Sequence, residues 1–194
     1  MRLELRAKSF GNQPVLGPLT LSVARGQRVA LLGPSGIGKS TLLRILAGLD
    51  RSFDGRLTAP ERLALVFQEP TLLPWRQAEA NITLTTGATP ARARALMAEV
   101  GLAGHEAKFP RQLSLGQQRR LSLARAFATD PGILLMDEPF ASLDADTGAR
   151  MLDLTEALLT RSGAGLVLVT HDPAEAARLG ATALRLAGSP AVLG

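Results

Sequence analysis

The sequence predicts an α/β fold with a mainly parallel sheet, and three observations predict it. Short apolar runs alternate with stretches of helical spacing along most of the chain. Buried strands separated by helices build a parallel sheet covered on both faces. Polar residues gather just after these runs, at the strand ends where open α/β sheets bind ligands. One glycine-rich turn also joins a run to a helix, the placement that lets a backbone wrap phosphate.

Taken in order, MRLELRAKSF alternates Leu3 and Leu5 with Arg2, Glu4 and Arg6, the period of a half-buried strand. The same charges break any apolar leader core. Val29-Ala30-Leu31-Leu32 is a short apolar run ending at Gly33. A helix is expected from Lys39 to Ala47, with Leu42, Ile45, Leu46 and Leu49 at helical spacing and Gly48 as its stop. Residues 63–67 form another run, followed by the proline-punctuated loop EPTLLPW, and PARARALMAEVG reads as a helix near 90–101. In LSLGQQRR, Ser114 and Gln117 make an S-x-x-Q capping box at the start of a further helix. Gly116 is the odd residue there, because glycine in a helical turn costs up to about 1 kcal/mol against alanine. Either it is incidental or something approaches that backbone closely.

Residues 133–136 are wholly apolar and end in Asp137-Glu138-Pro139. Met151, Leu154 and Leu158 mark a helix that stops at Ser162-Gly163. Residues 166–169 are the next run, ending at Thr170-His171, and TALRLA is the last strand-like piece. No internal repeat or linker interrupts the chain, so a single domain over 1–194 is expected, with no regulatory domain after it.

Composition narrows the function classes. The chain has 194 residues, 46% hydrophobic and 20% charged, enough for a real core and too apolar for disorder. There is no cysteine, which removes disulfides, thiol chemistry and cysteine metal sites. No apolar run approaches the ~18 residues of a membrane span. The net charge of +5 comes without a long basic run or basic–aromatic alternation, so nucleic acid is not expected as a partner.

Gly33-Pro34-Ser35-Gly36-Ile37-Gly38-Lys39-Ser40 fits G-x-x-x-x-G-K-[ST], the P-loop. Its glycines free backbone N–H groups to cradle phosphates, and the helix N-terminus adds a favourable dipole. Lys39 would reach the β- and γ-phosphates of a nucleotide while Ser40 ligates Mg²⁺. Asp137, ending an apolar strand, would hold that Mg²⁺ opposite Ser40. Glu138 follows it and is suited to polarise an attacking water. His171 stands just past another strand and could position that water. His105, in the polar stretch AGHEAK, reads as a surface residue with no partner.

The order P-loop, LSLGQ, ILLMDEP, SLD and VTHD resembles the ATP-binding subunits of ABC transporters along nearly the whole chain. The resemblance implies a P-loop NTPase fold with an N-terminal antiparallel β portion and an inserted helical subdomain over about 72–125. It implies ATP and Mg²⁺ as ligands. Gly33 to Ser40 and Thr41 would hold the phosphates. Gln68 in VFQEP would be the Q-loop glutamine on Mg²⁺, His171 the switch histidine, and Ser142-Leu143-Asp144 the D-loop that crosses between two subunits. Phe10 stands where such subunits often stack a tyrosine on adenine; stacking on adenine and simple core packing both remain open for it. Ser114, Gly116 and Gln117 belong to the signature motif, which would close over ATP held by a second subunit, and Asp144 would join that contact.

Gln68-Glu69-Pro70 with Leu72-Leu73-Pro74-Trp75, and HDPAEA after the switch position, resemble importer ATPases of the nitrate, sulfonate, taurine and thiamine-precursor type. The resemblance implies an ATPase at the cytoplasmic face of the cell membrane. Its partners would be permease subunits, a second copy or a similar ATPase, and an extracytoplasmic solute-binding protein. Trp75 would either meet the permease or pack as an ordinary amphipathic ring. An alternative is a soluble ATPase of the same kind, as in iron–sulfur cluster assembly. Two departures stand out: Leu115 replaces the usual first glycine of the signature, and residues 54–65 form a shorter segment than is typical.

Overall fold

The computed structural model describes residues 1–194. Its ten strands form one sheet in the order β3-β1-β2-β10-β9-β4-β8-β7-β6, with β5 pairing β1. The parallel part comprises β4 (Arg28–Leu32), β6 (Leu63–Val66), β7 (Ile133–Asp137), β8 (Gly165–Val169) and β9 (Thr182–Gly188). The antiparallel part is built on the long strand β1 (Arg2–Phe10), which pairs β2 (Gln13–Leu16), β3 (Leu19–Ser22) and β5 (Asp54–Thr58). The short β10 (Ala191–Leu193) joins the two parts, antiparallel to β9 and parallel to β2.

The apolar runs explain the layering. Side chains alternate across a strand, so a fully apolar strand feeds both faces of its sheet. Val29, Leu31, Ile133, Leu135, Val167 and Val169 enter one core. Their neighbours Ala30, Leu134, Met136, Leu166 and Leu168 enter the other. The first core is shared with α1 (Lys39–Leu46) and with Leu3 and Leu5 of β1, whose neighbours Arg2, Glu4 and Arg6 are exposed as the alternation predicts. The second is covered by α2 (Ala78–Thr86), α3 (Pro90–Glu99), α4 (Leu115–Ala128), α5 (Ala145–Ser162) and α6 (Pro173–Arg178). Between β6 and β7 the chain holds only helices: α2, α3, a 3₁₀ turn over Pro110–Gln112 and α4. No helix is long and apolar enough to cross a membrane.

One expectation needs correction, and one open alternative narrows. Leu49 does not extend the apolar stripe of α1; Gly48 leaves the helix at φ 70 and Leu49 is exposed. Trp75 is not packed into the core either, with 66% of its surface accessible. The turn carrying it is fixed from beneath by Asn81, wholly buried on α2. Asn81 accepts from the Leu73 N–H at 2.7 Å and donates to the carbonyls of Leu73, Arg76 and Gln77. A buried amide satisfied this fully sets a loop in one conformation.

Candidate functional site

The loop between β4 and α1 is built for an anion. The N-cap of α1 is Gly38, with φ 108 and no side-chain cap, so the first N–H groups of the helix stay unpaired. Gly38 is also pressed against the β1–β2 hairpin: a Cβ there would lie 2.8 Å from Leu16 Cδ2 and 3.1 Å from Val15 Cγ1. Lys39 is buried to 5% exposure, and its Nζ donates to the carbonyls of Gly33 at 2.8 Å and Pro34 at 2.9 Å. Those two bonds hold the ammonium under the loop and leave its third proton for a ligand. A shallow polar depression of about 160 Å³ contains Ser35, Gly36, Gly38, Lys39, Ser40 and Thr41, and Glu138 forms its far wall. Gly33, Pro34 and Ile37 line a neighbouring depression together with His171.

The parallel strands deliver the acidic side of the site. Asp137 ends β7, and Ser40 Oγ donates to its Oδ1 at 3.1 Å. Burial, with the adjacent Glu138 charge adding to it, pushes the Asp137 carboxyl above its ordinary value, against the pull of the Ser40 bond. A desolvated carboxylate beside a hydroxyl is a good pair of hard oxygen ligands for a divalent cation. Glu138 sits at φ 44, an uncommon left-handed conformation for a non-glycine residue, held by its N–H donating to Val169 O at 2.9 Å. His171 Nδ1 lies 3.7 Å from Glu138 Oε2, beyond hydrogen-bond reach but close enough to share one ligand. Behind His171, the half-buried Glu175 accepts from Thr170 Oγ1, which in turn accepts from the Asp172 N–H.

A second cleft, of about 460 Å³, lies between the N-termini of α4 and α5. Ser114, Leu115 and Gly116 form one side, and Ser142, Leu143 and Asp144 the other. It shares no lining residue with the P-loop depression. The capping box is formed: Gln117 N–H donates to Ser114 Oγ at 3.2 Å, and Ser114 N–H donates to Gln117 Oε1 at 2.9 Å. Ser114 Oγ therefore accepts inward and keeps its own proton for a ligand. Packing does not demand glycine at 116, since a Cβ there would make ordinary contact with Thr147 Cγ2 of α5 at 3.4 Å; what the residue offers is an open backbone. Leu115 lines the cleft with half its surface exposed. Asp144 is the N-cap of α5, accepting from Thr147 N–H at 2.9 Å, and that bond holds its carboxyl below the ordinary value.

Two expected residues are placed differently from the others. Phe10 is not core: it is 55% exposed at the tip of the β1–β2 hairpin, paired with Gln13, and Lys8 Nζ sits 4.4 Å from its ring centre. The three-residue step from Gln13 to Leu16 spans about 10 Å, so the hairpin offers the ring at roughly a nucleotide's length from the phosphate loop. Gln68 is exposed after β6 and hydrogen-bonds to neither Ser40 nor Asp137.

Several supporting residues escaped the sequence reading. Arg125 of α4 clamps the stretch after Gln68, donating to the carbonyls of Pro70 at 3.0 Å and Thr71 at 2.9 Å. His105 is not a partnerless surface residue, as expected, but half-buried with its ring 3.3 Å from the Gln117 amide nitrogen. Lys8 is buried and paired with Asp50 at 2.7 Å. None of these carries a local sequence signal, because each depends on residues far away in the chain.

Comparison with known proteins agrees with this geometry. Residues 16–141 match the ABC transporter family. The chain is 49% identical over 174 residues to an aliphatic sulfonates import ATP-binding protein, SsuB 3, of Paraburkholderia xenovorans, covering 89% of this chain and 70% of that one. It is 50% identical over 180 residues to the corresponding SsuB 2 of Nocardia farcinica, covering 91% and 75%. The fold superposes with a TM-score of 0.81 and 28% identity on the ATP-binding cassette MJ0796, in a dimeric post-hydrolysis state bound to ADP and Pi. That match covers 100% of this chain and 96% of the other. The chain belongs to the ABC transporter family, as an ATP-binding, ATP-hydrolysing subunit of the import type.

Proposed function

We propose that two copies of this chain, or this chain and a similar one, close head to tail around ATP and so drive solute uptake through a separate permease. The observation that carries the proposal is the separation of the two clefts. One chain offers a cationic, glycine-lined phosphate loop with Glu138, and elsewhere a helix start with an available hydroxyl and free N–H groups. Each is half of an anion site, and the halves complete one another only across two chains.

In this reading the P-loop from Gly33 to Thr41 binds the phosphates in one subunit, with Lys39 on the β- and γ-phosphates. The signature residues Ser114, Gly116 and Gln117 of the other subunit close over the γ-phosphate, and Asp144 fixes the start of α5 beside them. Phe10 offers its ring to the adenine. Ser40 and Asp137 fit Mg²⁺, joined by Gln68 when its loop moves inward; the ion would draw charge from the phosphates. Glu138 takes a proton from the attacking water as its oxygen bonds to the γ-phosphorus. The bond to the β-phosphate oxygen breaks, giving ADP and phosphate. His171, beside Glu138, orients the water and the γ-phosphate. Loss of the γ-phosphate removes the bridge between subunits, a ligand-driven shift from closed to open.

The partners we propose are permease subunits, met through the exposed Trp75 region, and an extracytoplasmic solute-binding protein. The subunit would then sit peripherally at the cytoplasmic face of the cell membrane. The relatives' names support an aliphatic sulfonate as the solute class. The test is Glu138→Gln: the variant should bind ATP, barely hydrolyse it and elute as a dimer only with ATP. Unchanged turnover with no ATP-dependent dimer overturns the reading.

A further inference from the structure

We propose that His105 is a positioning residue for the signature motif: as a hydrogen-bond acceptor it fixes the Gln117 amide and so the phosphate-facing geometry of Ser114 and Gly116. The inference rests on the proposed closure of that motif over ATP.

Elimination gives the direction of every bond in this cluster. His105 Nδ1 lies 3.2 Å from the Ala103 carbonyl, which can only accept, so Nδ1 carries the proton. In the neutral ring Nε2 is then bare and must accept. Facing it at 3.3 Å is Gln117 Nε2. Gln117 Oε1 already accepts from the Ser114 N–H at 2.9 Å, so the end of the amide that points at His105 is its NH₂. Ring, amide and capping box therefore agree on one arrangement. A group at position 105 able only to donate would repel that NH₂. The amide would then turn over, presenting an NH₂ to the Ser114 N–H and opening the box.

The loop that carries His105 is itself anchored. His105 N–H donates to Leu102 O at 3.1 Å, and Lys108 N–H to His105 O at 3.0 Å. The first turn of α2 donates into the same loop, from Ala78 N–H to Lys108 O at 2.8 Å and from Glu79 N–H to Glu106 O at 3.1 Å. The loop that carries the imidazole is thus tied to the first turn of α2, and the ring meets the signature glutamine in turn. One neutral hydrogen bond of this kind contributes enough for about a three- to tenfold change in an equilibrium.

The test places His105→Ala, His105→Gln and His105→Lys in a Glu138→Gln chain. It measures the ATP concentration for half-maximal dimer by light scattering, and nucleotide affinity of the monomer by fluorescent-nucleotide titration. The expected result is a three- to tenfold higher ATP requirement for dimerisation with Ala. Lys should match or exceed that loss, and Gln, which supplies an acceptor at similar reach, should stay within twofold of His. Monomer affinity should not move, because the P-loop half is untouched; a merely structural role would lower melting temperature and both binding readouts together. Ala equal to His, Lys equal to Gln, or a parallel loss of monomer affinity overturns the inference. Absence of an ATP-dependent dimer even with His105 in place overturns the functional reading, and this inference with it.

Discussion

Gly38→Ala probes the idea that the phosphate loop is shaped by contact with the β1–β2 hairpin. Two penalties act at this position. A residue with a Cβ at φ 108 is strained, at about 1–2 kcal/mol. The new methyl would also stand 2.8 Å from Leu16 Cδ2, with Val15 Cγ1 behind it at 3.1 Å. Overpacking of that kind costs about 1–3 kcal/mol. A combined loss of about 3 kcal/mol lowers the melting temperature of a chain this size by about 6–12 °C. Gly48→Ala separates the two penalties: its φ is 70, and a Cβ there meets nothing within 4 Å. It should lose only the strain, about 1 kcal/mol or 2–4 °C. Thermal melts of both variants, with a nucleotide titration of each, make the comparison. Gly38→Ala should also bind nucleotide more weakly, whereas Gly48→Ala should not. Equal melting temperatures for the two variants, with unchanged nucleotide affinity, would show that contact with the hairpin does not shape the loop.

Asp50→Asn leaves the buried Lys8 ammonium without its carboxylate, a loss of about 3 kcal/mol; melting should fall by about 6–12 °C at neutral pH. The Lys8 bond holds the Asp50 carboxyl below its ordinary value. Its stabilisation is therefore present above the ordinary carboxylate range and lost as pH falls through the depressed native value, so the two melting curves should converge in strong acid. A gap independent of pH would contradict this assignment. Leu115→Gly removes the side chain that lines the signature cleft and should raise ATP turnover; equal or lower turnover in a steady-state phosphate-release assay would show that Leu115 does not hinder closure.

The parallel half of the fold is legible because burial on both faces forces whole strands to be apolar, as in residues 133–136 and 166–169. The antiparallel half is less so. QPVL, LTLS and AVL are too short to show a period, and only their pairing with β1 and β9 makes them strands. The helix α2, AEANITLTT, is rich in residues that favour strands and buries only Ala78, Asn81 and Ile82, so it escapes a helical pattern. At the site, adjacency in sequence made the P-loop and Asp137-Glu138 readable, and the capping box announced the start of α4. The meeting of Ser40 with Asp137, 97 residues apart, could be expected only from motif order. His105 carried no signal, because its partner is defined by how loop 101–109 folds back on α4. Gly116 sits at the boundary: a Cβ there would make only ordinary contact with Thr147, so the open N–H is what singles it out.

In the proposed dimer the P-loop of one chain faces the signature of another. A chain without cysteine allows a direct measurement. Ser35→Cys and Leu115→Cys are placed in separate Glu138→Gln chains, mixed, oxidised with and without ATP, and analysed for a disulfide between the two. The expected result is a cross-linked heterodimer with ATP, little without it, and no comparable dimer from the Ser35→Cys chain alone. Absence of the mixed cross-link in ATP, or equal cross-linking of Ser35→Cys chains to each other, would contradict it.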